Sequence, residues 1–411
     1  MKSSAALIMF VLILMLCELT TRVFYKSDTR LDEIIGILME DSELFWRFKP
    51  NINVMYQGVE VSINSLGFRD EDFLLKKNED SIRIVCLGAS PTFGWGVTFD
   101  NIYPQKLEYM LRERFENKRI DVINAAVIGY SSYQGLLLLK NQILNFSPDV
   151  VTISYLINDV DKNRFYRSDG RSDKELEREN QYVIHIRNIV SKSSIYKLMQ
   201  RTIHRLFLRK MISGSRRSIK LPQIRVSIDD YVQNLSKMIE ICRKNNIKAV
   251  LIKMPLNLPP PPYISEASSQ KSDRLMDEGR KYMDIGFYDE AISKFKEVLV
   301  ISPFSSEGHY YLGVCYEFKK DYKSAEAEFE KAKDYDSFRC RLDSEVYNEA
   351  MDRVANEENI PLIDIVSIFK NENDKKLFLY EKSDPIHPDI LGHRLIAEEI
   401  YKILLERDII L

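Results

Sequence analysis

The sequence has few cysteines, and their spacing excludes two common kinds of crosslinked or metal-bound protein. Its 411 residues include five cysteines, which are Cys17, Cys86, Cys242, Cys315 and Cys340. No two of them have the Cys-x-x-Cys spacing of a metal site, and an odd number cannot close into a disulfide framework. We therefore expect neither a zinc site nor a disulfide scaffold.

A surplus of charge of one sign is also absent. The chain has 59 Lys and Arg against 61 Asp and Glu, a formal net charge of −2, and hydrophobic residues make up 45%. These values are ordinary for a globular protein. The balance excludes a disordered tail protein and argues against a general nucleic-acid binder. The length allows about two to three domains with ample buried core.

Long apolar runs are missing except near the N-terminus. Residues 5–17 are continuously apolar, which is shorter than the ~20 residues that span a bilayer. Extension to Phe24 reaches that length only by including Glu18 and Arg22. We predict an uncleaved, single-pass membrane anchor in residues 1–25, with a cleaved signal peptide or a buried helix as alternatives. The flanking charges do not settle its orientation.

From Ile82 onward, apolar runs rich in β-branched residues alternate with stretches of helical periodicity. The predicted strands are Ile82–Leu87, Ile120–Asn124, Val150–Tyr155, Ala249–Lys253 and Pro361–Ile365. The predicted helices lie near 103–117, 133–145, 229–245, 344–357 and 393–407. This alternation is typical of a parallel sheet covered by helices. We expect an α/β fold, with a three-layer, flavodoxin-like parallel five-stranded sheet and a site at the carboxyl ends of its strands.

A basic segment interrupts this rhythm. Residues 180–228 contain no Asp or Glu but hold eleven Lys or Arg, and apolar residues recur at helical spacing between Ile195 and Phe207. The pattern predicts a basic amphipathic helix. Its basic face is solvated, lies on anionic lipid headgroups, or binds an acidic polymer. These three alternatives stay open from the sequence.

A second interruption follows the prolines 259–262 and contains an internal repeat. Five residue pairs recur at a spacing of 34, namely Gly279 with Gly313, Tyr282 with Tyr316, Tyr288 with Tyr322, Ala291 with Ala325, and Phe295 with Phe329. The pattern resembles the tetratricopeptide repeat (TPR), a helix-turn-helix unit. Two repeats, at about 272–305 and 306–339, are fewer than a free-standing array usually needs. We expect an all-α insertion over 266–340 that packs on the host domain and offers a surface to a protein partner.

Four loops carry the residues best suited to chemistry. Ser90 follows the first predicted strand beside Gly88, Gly129 follows the second, and Asn158 follows the third. A serine at the carboxyl end of a strand has an exposed hydroxyl beside backbone N–H groups that can stabilise an oxyanion. Near the C-terminus, Asp384 precedes His387 by three residues. A carboxylate there can hold the imidazole in the tautomer whose Nε2 acts as a base.

These blocks, in this order, resemble the SGNH (GDSL-type) hydrolase family, which is named for a Ser, a Gly, an Asn and a His. The resemblance implies that Ser90 is the nucleophile, His387 the general base and Asp384 the orienting acid. It implies an oxyanion hole made of the Ser90 and Gly129 N–H groups and the Asn158 side chain. No metal or organic cofactor is needed. Asn64 to Arg69 looks like a lead-in of membrane-anchored bacterial members. The family resemblance favours an extracytoplasmic catalytic domain, whereas the free cysteines favour a reducing compartment; we expect the former.

The resemblance also implies domain boundaries, and the sequence differs from the family pattern at two positions. The domain would comprise 79–265, with the basic insert 180–228, and 341–411, preceded by a lead-in segment over 26–78. Ala89 stands where the family usually has a loop-supporting Asp, and Leu156 stands where its third block usually begins with Gly. Leu156 could narrow the acyl pocket.

The remaining histidines and carboxylates have structural interpretations. His185 and His204 lie in the basic segment, His309 lies at a repeat packing position, and His393 begins the last helix. Asp159 and Asp389 suit turns or helix caps. Trp95 and Tyr130 suit loop packing. This leaves His387 as the candidate base.

The expected function is an SGNH-type serine esterase that hydrolyses an acyl ester, such as O-acetyl on a cell-envelope carbohydrate. One alternative is an O-acyltransferase that modifies a cell-surface polysaccharide. Another is a repeat-bearing membrane scaffold whose hydrolase domain is degenerate, prompted by Ala89 and Leu156.

Overall fold

The computed structural model describes most of the chain with gaps. The described residues are 9, 13, 15–22, 36–161, 171–176, 180–190, 193–196, 224–256, 270–335, 344–372, 376–379 and 386–410. The predicted acid Asp384, most of the predicted anchor 1–25, and most of the predicted basic helix lie outside these residues. The described strands are β1 (Leu38–Asp41), β2 (Phe45–Phe48), β3 (Ile52–Tyr56), β4 (Val59–Ile63), β5 (Ser81–Gly88), β6 (Arg119–Asn124), β7 (Val150–Ser154), β8 (Lys248–Lys253) and β9 (Leu362–Asp364).

The helices follow in chain order. They are α1 (Ser90–Phe93), α2 (Tyr103–Arg114), α3 (Ser132–Asn141), α4 (Gln181–Val190), α5 (Ile228–Lys244), α6 (Gln270–Asp284), α7 (Tyr288–Ile301), α8 (Ser306–Phe318), α9 (Tyr322–Asp334), α10 (Ser344–Glu357), α11 (Ile365–Asn371) and α12 (Ile390–Glu406). The chain divides into two compact units, which are Met1–Lys49 with Glu177–Leu221, and Pro50–Leu176 with Pro222–Leu411. The predicted lead-in segment 26–78 is therefore divided between the two units, with the boundary before Pro50.

The larger unit is built on a five-stranded parallel sheet. The strand order is β6-β5-β7-β8-β9, and all neighbouring strands are parallel. The strands form because their apolar, largely β-branched residues are buried on both faces, as in β7, where all five residues are buried. The predicted five-stranded parallel sheet is confirmed. The strand order reverses between β5 and β7, and α/β folds bind ligands at the carboxyl ends of the strands beside such a switch point.

Helices cover both faces of this sheet. On one face, α2 and α12 pack on the strands, and the fully buried core there includes Ile84, Leu107, Val122 and Ile400. On the other face, α5 packs against α3 and α10, and Tyr231 contacts Tyr347 with ring centroids 5.0 Å apart. The result is three layers with the core on each side of the sheet.

Two antiparallel hairpins precede the sheet and were not predicted. One pairs β1 with β2, and the other pairs β3 with β4. The β3–β4 turn consists of Gln57 and Gly58, with φ of 51° and 79°, and a two-residue hairpin turn needs positive φ at both positions. The strands are only four or five residues long, so their alternation is too brief to stand out in the sequence.

In the smaller unit, α4 lies against the β1–β2 hairpin. The Asn188 side chain donates to the Glu40 carbonyl and accepts from the Glu40 N–H, both at 3.0 Å. Ile184 is buried, whereas the apolar side chains at 182, 183, 186, 189 and 190 are exposed. They form one side of the helix, because these positions recur at helical spacing.

The repeat region forms two consecutive helix pairs, α6 with α7 and α8 with α9. A Cβ on Gly279 would lie 2.5 Å from the Phe295 ring, and one on Gly313 would lie 2.6 Å from the Phe329 ring. The same glycine-to-phenylalanine contact therefore recurs at the 34-residue spacing. The expected packing of this region on the host domain stays a prediction.

Within the described part of the chain, no helix combines the length and the apolar character that crossing a membrane requires.

Candidate active site

Ser90 lies at the carboxyl end of β5. The strand ends at Gly88, Ala89 is extended, and Ser90 begins the single turn α1, with Pro91 as its second residue. Gly88 allows this tight turn, because a Cβ there would lie 2.2 Å from Thr92 Oγ1. Thr92 is itself held by a 2.8 Å hydrogen bond between its Oγ1 and Ser154 Oγ. The serine therefore lies on a packed, hydrogen-bonded turn rather than a loose loop.

His387 lies within hydrogen-bonding distance of this serine. Its Nε2 is 2.8 Å from Ser90 Oγ, although the two residues are 297 positions apart in the sequence. Both residues are only 6% exposed. The backbone of His387 is fixed by Leu379, whose N–H donates to the His387 carbonyl at 3.0 Å. The fold thus brings the first and last sequence blocks together, at the spacing that a serine nucleophile and its base would need.

Trp95 fixes the plane of this imidazole. The two rings are stacked, with centroids 4.9 Å apart and an interplanar angle of 11°. Trp95 in turn meets the buried Tyr56 of the second hairpin edge to face, at 5.1 Å. The ring that was expected only to pack a loop therefore orients the candidate base.

The loop after β6 brings Gly129 to the same edge of the sheet. Val127 N–H donates to the Gly88 carbonyl at 3.3 Å, so the loop runs directly beside the turn that carries Ser90. Gly129 is buried and has a φ of 76°, a conformation that side-chain-bearing residues rarely adopt. This conformation gives the loop its sharp reversal at the position predicted to donate an N–H to an oxyanion.

Asn158 follows β7, the strand next to β5. Its Nδ2 donates to the Tyr130 carbonyl at 3.0 Å. A side-chain amide has two N–H donors, so this bond leaves a second one for a ligand. The three residues expected to form an oxyanion hole thus follow the three adjacent strands β6, β5 and β7.

Arg69, from the lead-in motif, supports the turn that carries Ser90 by hydrogen bonds to its backbone. It is 1% exposed, and its guanidinium donates to the carbonyls of Phe93 and Gly94, at 3.1 and 2.6 Å, and to that of Val97 at 2.7 Å. Burial lowers the pKa of Arg69 to about 10, so it stays charged at neutral pH. No sequence pattern indicates this role, since the three carbonyls become neighbours of Arg69 only in the fold.

Asp159, beside Asn158, is a structural carboxylate. It is fully buried, and its Oδ1 accepts hydrogen bonds from the N–H and the hydroxyl of Ser132, the first residue of α3. Burial raises the pKa of Asp159 to about 7. Because this carboxylate accepts from the first residue of a helix, the contact agrees with the helix-cap interpretation.

The other described histidines have different surroundings. His393 is fully buried, its Nδ1 accepts from Tyr103 N–H at 3.2 Å, and burial lowers its pKa to about 3. His309 pairs with Glu328 inside the repeats, and His185 is exposed on α4. Asp389 caps α12 by accepting from Gly392 N–H at 2.8 Å.

A narrow apolar cavity lies beside Ser90. It has a volume of about 20 Å³, and its lining includes Ala89 and Pro91, which flank the serine, together with Leu156, Met254 and Ile386. The two departures from the family pattern, Ala89 and Leu156, both contribute to its wall.

Among the described residues, no three His, Cys, Asp or Glu side chains are close enough together to hold a metal ion.

Comparisons with known proteins give remote structural likenesses. No family model matches the sequence, and the search of curated proteins finds no match. An acetyl xylan esterase from Geobacillus stearothermophilus is 11% identical, with a TM-score of 0.38, covering 80% of this chain and 96% of that one. A lipase/acylhydrolase from Enterococcus faecalis is 14% identical, with a TM-score of 0.36, covering 79% and 96%. A lipolytic protein of the G-D-S-L family from Desulfitobacterium hafniense is 13% identical, with a TM-score of 0.35, covering 79% and 100%.

Proposed function

We propose that this protein is a serine esterase of the SGNH type. The observation that carries the proposal is the 2.8 Å contact between Ser90 Oγ and His387 Nε2 at the carboxyl edge of the parallel sheet. A weak nucleophile such as serine needs a base within this distance. The candidate oxyanion donors follow the neighbouring strands, which is the second requirement for acyl transfer.

The reaction would proceed through an acyl-serine intermediate. Ser90 Oγ attacks the ester carbonyl carbon while His387 Nε2 takes the hydroxyl proton, and the carbonyl oxygen becomes an oxyanion. The N–H groups of Ser90 and Gly129 and the Asn158 amide stabilise that charge. Collapse expels the alcohol, which receives the proton from His387. Water then attacks the acyl-serine with His387 again as base, and this step releases the acid and restores Ser90.

Asp384 is the proposed orienting acid. A base that accepts at Nε2 must carry its proton on Nδ1, and a carboxylate three residues earlier in the chain can accept that proton. The stacked Trp95 ring, 4.9 Å away, supports the same orientation by fixing the imidazole plane. No step in this scheme needs a metal or an organic cofactor.

The proposed acyl group is acetyl. The cavity of about 20 Å³ beside Ser90 has room for about one water-sized group, and a methyl group is of that size. The proposed alcohol is a hydroxyl of a cell-envelope carbohydrate, which rests on the family resemblance alone.

The proposal is tested by ester hydrolysis with the full chain in detergent. We expect Ser90-dependent turnover of 4-nitrophenyl acetate, and we expect Ser90→Ala and His387→Ala to lower kcat by ~10³-fold or more. Matched controls are Ser62→Ala and His185→Ala, since both residues are exposed and lie outside the four motif blocks of the sequence. Parent turnover no higher than that of folded Ser90→Ala would refute ester hydrolysis.

The same assay separates hydrolysis from transfer. An added glycan acceptor that receives the acyl group faster than water does would identify an O-acyltransferase. Failure of a fluorophosphonate probe to label Ser90 in the folded protein, together with capture of a protein by the repeats, would instead support a scaffold.

We also propose attachment to a membrane through residues 1–25, with the basic residues of the segment 180–228 other than the buried Arg225 on anionic headgroups and the catalytic domain outside the cytoplasm. The apolar run 5–17 and the exposed apolar side of α4 support it. We expect the chain to co-float with phosphatidylglycerol vesicles in alkaline carbonate, and deletion of 1–25 to abolish that flotation. Flotation of the deleted chain in carbonate would refute the anchor.

A further inference from the structure

The Asn158 side chain holds the Gly129 loop at the neighbouring Tyr130 carbonyl, and Gly129 itself needs a further support. An oxyanion donor acts only when it is held at the right position before the reaction begins. Gly129 lies in a loop without regular backbone pairing at the end of β6, so its orientation depends on what holds its peptide groups. The inference below concerns that support and rests on the proposed function.

A buried arginine from outside the family motifs binds this loop directly. Arg225 Nη1 donates to the Gly129 carbonyl at 2.8 Å, and its Nη2 donates to Gln134 Oε1 at 2.7 Å. Gln134 belongs to the capping box that starts α3 immediately after the loop. One guanidinium, 2% exposed, therefore ties the glycine to the helix that follows it.

Asp173 fixes the arginine in turn. Its carboxylate accepts from Arg225 Nε at 3.3 Å and from Nη2 at 3.0 Å, and it is fully buried. The same carboxylate accepts from Ser131 Oγ at 2.6 Å, which is the N-cap hydroxyl of α3. Asp173 N–H also donates to the Arg225 carbonyl at 2.7 Å. Arginine and aspartate thus hold each other through both side chain and backbone.

We propose that Arg225 and Asp173 are positioning residues that hold Gly129 in its oxyanion-binding orientation. Their charges cancel within the pair, so their contribution is geometric. The two residues flank the segment 177–221, which clusters with the N-terminal part of the chain.

The chain supplies a matched control for this proposal. Arg83 is also buried, at 1% exposure, pairs with Asp121 at 2.9 Å, and donates to the carbonyls of Leu75 and Phe146, at 2.9 and 2.7 Å. It lies near the amino end of β5, and Ser90 follows the carboxyl end. Loss of either guanidinium removes a similar set of buried hydrogen bonds, but only the Arg225 set includes a residue of the proposed oxyanion hole, which is Gly129.

The experiment compares Arg225→Lys with Arg83→Lys in the full-length protein. A lysine cannot reproduce the planar fork that reaches a carboxylate, an amide and a carbonyl together. We expect Arg225→Lys to lower kcat for 4-nitrophenyl acetate by about 10- to 100-fold with KM little changed, since about 1 Å of misplacement has an effect of that size. We expect Arg83→Lys to keep kcat within about twofold, because it displaces no catalytic group. Asp173→Asn, which keeps the shape of the side chain, should give an intermediate loss.

Two readouts separate positioning from lost folding. The endpoint of fluorophosphonate labelling counts folded sites, so kcat is expressed per labelled Ser90. Inhibition by a boronic acid, whose tetrahedral adduct places an oxygen in the oxyanion hole, should weaken in Arg225→Lys by the same factor as kcat.

Equal kcat per labelled site in Arg225→Lys and the parent, or equal losses in Arg225→Lys and Arg83→Lys, would overturn the inference while the esterase assignment stands. A parent without Ser90-dependent turnover or labelling would overturn both.

Discussion

Replacement of Leu156 by alanine tests whether the cavity beside Ser90 limits the length of the acyl group. Leu156 is 9% exposed and lines this cavity together with Ala89, Met254 and Ile386. Its side chain can be shortened without altering the catalytic pair, because Asp159 and Val160 bind its backbone carbonyl. We therefore expect Leu156→Ala to fold and to keep the contact between Ser90 and His387.

The expected size of the effect follows from the cavity volume. A space of about 20 Å³ accepts the methyl of an acetyl group, whereas a butyryl group adds two methylenes. Forcing extra methylenes into a packed interior costs about 1–3 kcal/mol, which corresponds to a preference for acetate over butyrate of about 5- to 150-fold in kcat/KM. Leu156→Ala removes three carbons from the wall, so most of this preference should be lost and the two kcat/KM values should approach each other.

The assay measures kcat/KM for 4-nitrophenyl acetate and 4-nitrophenyl butyrate with the parent, Leu156→Ala and Leu111→Ala. Leu111 is a fully buried residue of α2 that does not line the cavity, so its variant controls for general loosening of the core. A parent that hydrolyses both esters equally well, or a Leu156→Ala variant with the parental acetate preference, would refute the reasoning.

Three further predictions concern the support of the site. Burial raises the pKa of Asp159 to about 7, so its contribution to stability is complete below about pH 4 and is lost as the pH rises through 7. Relative to the parent, Asp159→Asn should gain about 4 kcal/mol in free energy of unfolding between pH 4 and pH 8, measured by urea denaturation; a constant difference would contradict this. Trp95→Ala should lower kcat by about tenfold, and Trp95→Phe by less, because only the aromatic ring orients His387; equal effects on kcat would contradict this. Gly88→Ala should lower the free energy of unfolding by about 1–3 kcal/mol, because the added methyl collides with Thr92; an unchanged urea midpoint would contradict this.

The sheet was predictable because its signal is local. Each strand of the parallel sheet is a run of buried apolar residues, and each covering helix shows its own periodicity, so element type followed from short windows of sequence. The predicted Ile82–Leu87 and the observed Ser81–Gly88 differ by one residue at each end. The seven-residue helix Ile365–Asn371 and the two hairpins were missed, because elements of this length hold too few residues for a period to show.

The positions of Ser90, Gly129 and Asn158 were predictable because each residue follows a strand of the parallel sheet, and that of His387 because it belongs to a recognisable sequence block before the last helix. The residues that support these loops were not predictable. Arg225 belongs to a segment with many Lys and Arg residues and no acid, so the sequence favoured an exposed basic face. In the fold it is 2% exposed and bonded to Gly129. Its partners are defined only by long-range contacts, which no local pattern encodes.

The departure at Ala89 has a structural counterpart in these buried arginines. The family that the motifs resemble usually has a loop-supporting Asp at this position. Here the turn is supported by Arg69, whose guanidinium binds the carbonyls of Phe93, Gly94 and Val97, while Arg225 binds the carbonyl of Gly129.

Carbonyl groups in a loop at the edge of a sheet have no strand partner, and a buried carbonyl without a hydrogen-bond donor is unfavourable. A guanidinium with five donors in one plane can satisfy several of them at once. Two arginines from outside the Ser90 motif thus support the loops that the family's Asp would support. With Ala89 at that position, the Ser90–His387 contact is still 2.8 Å.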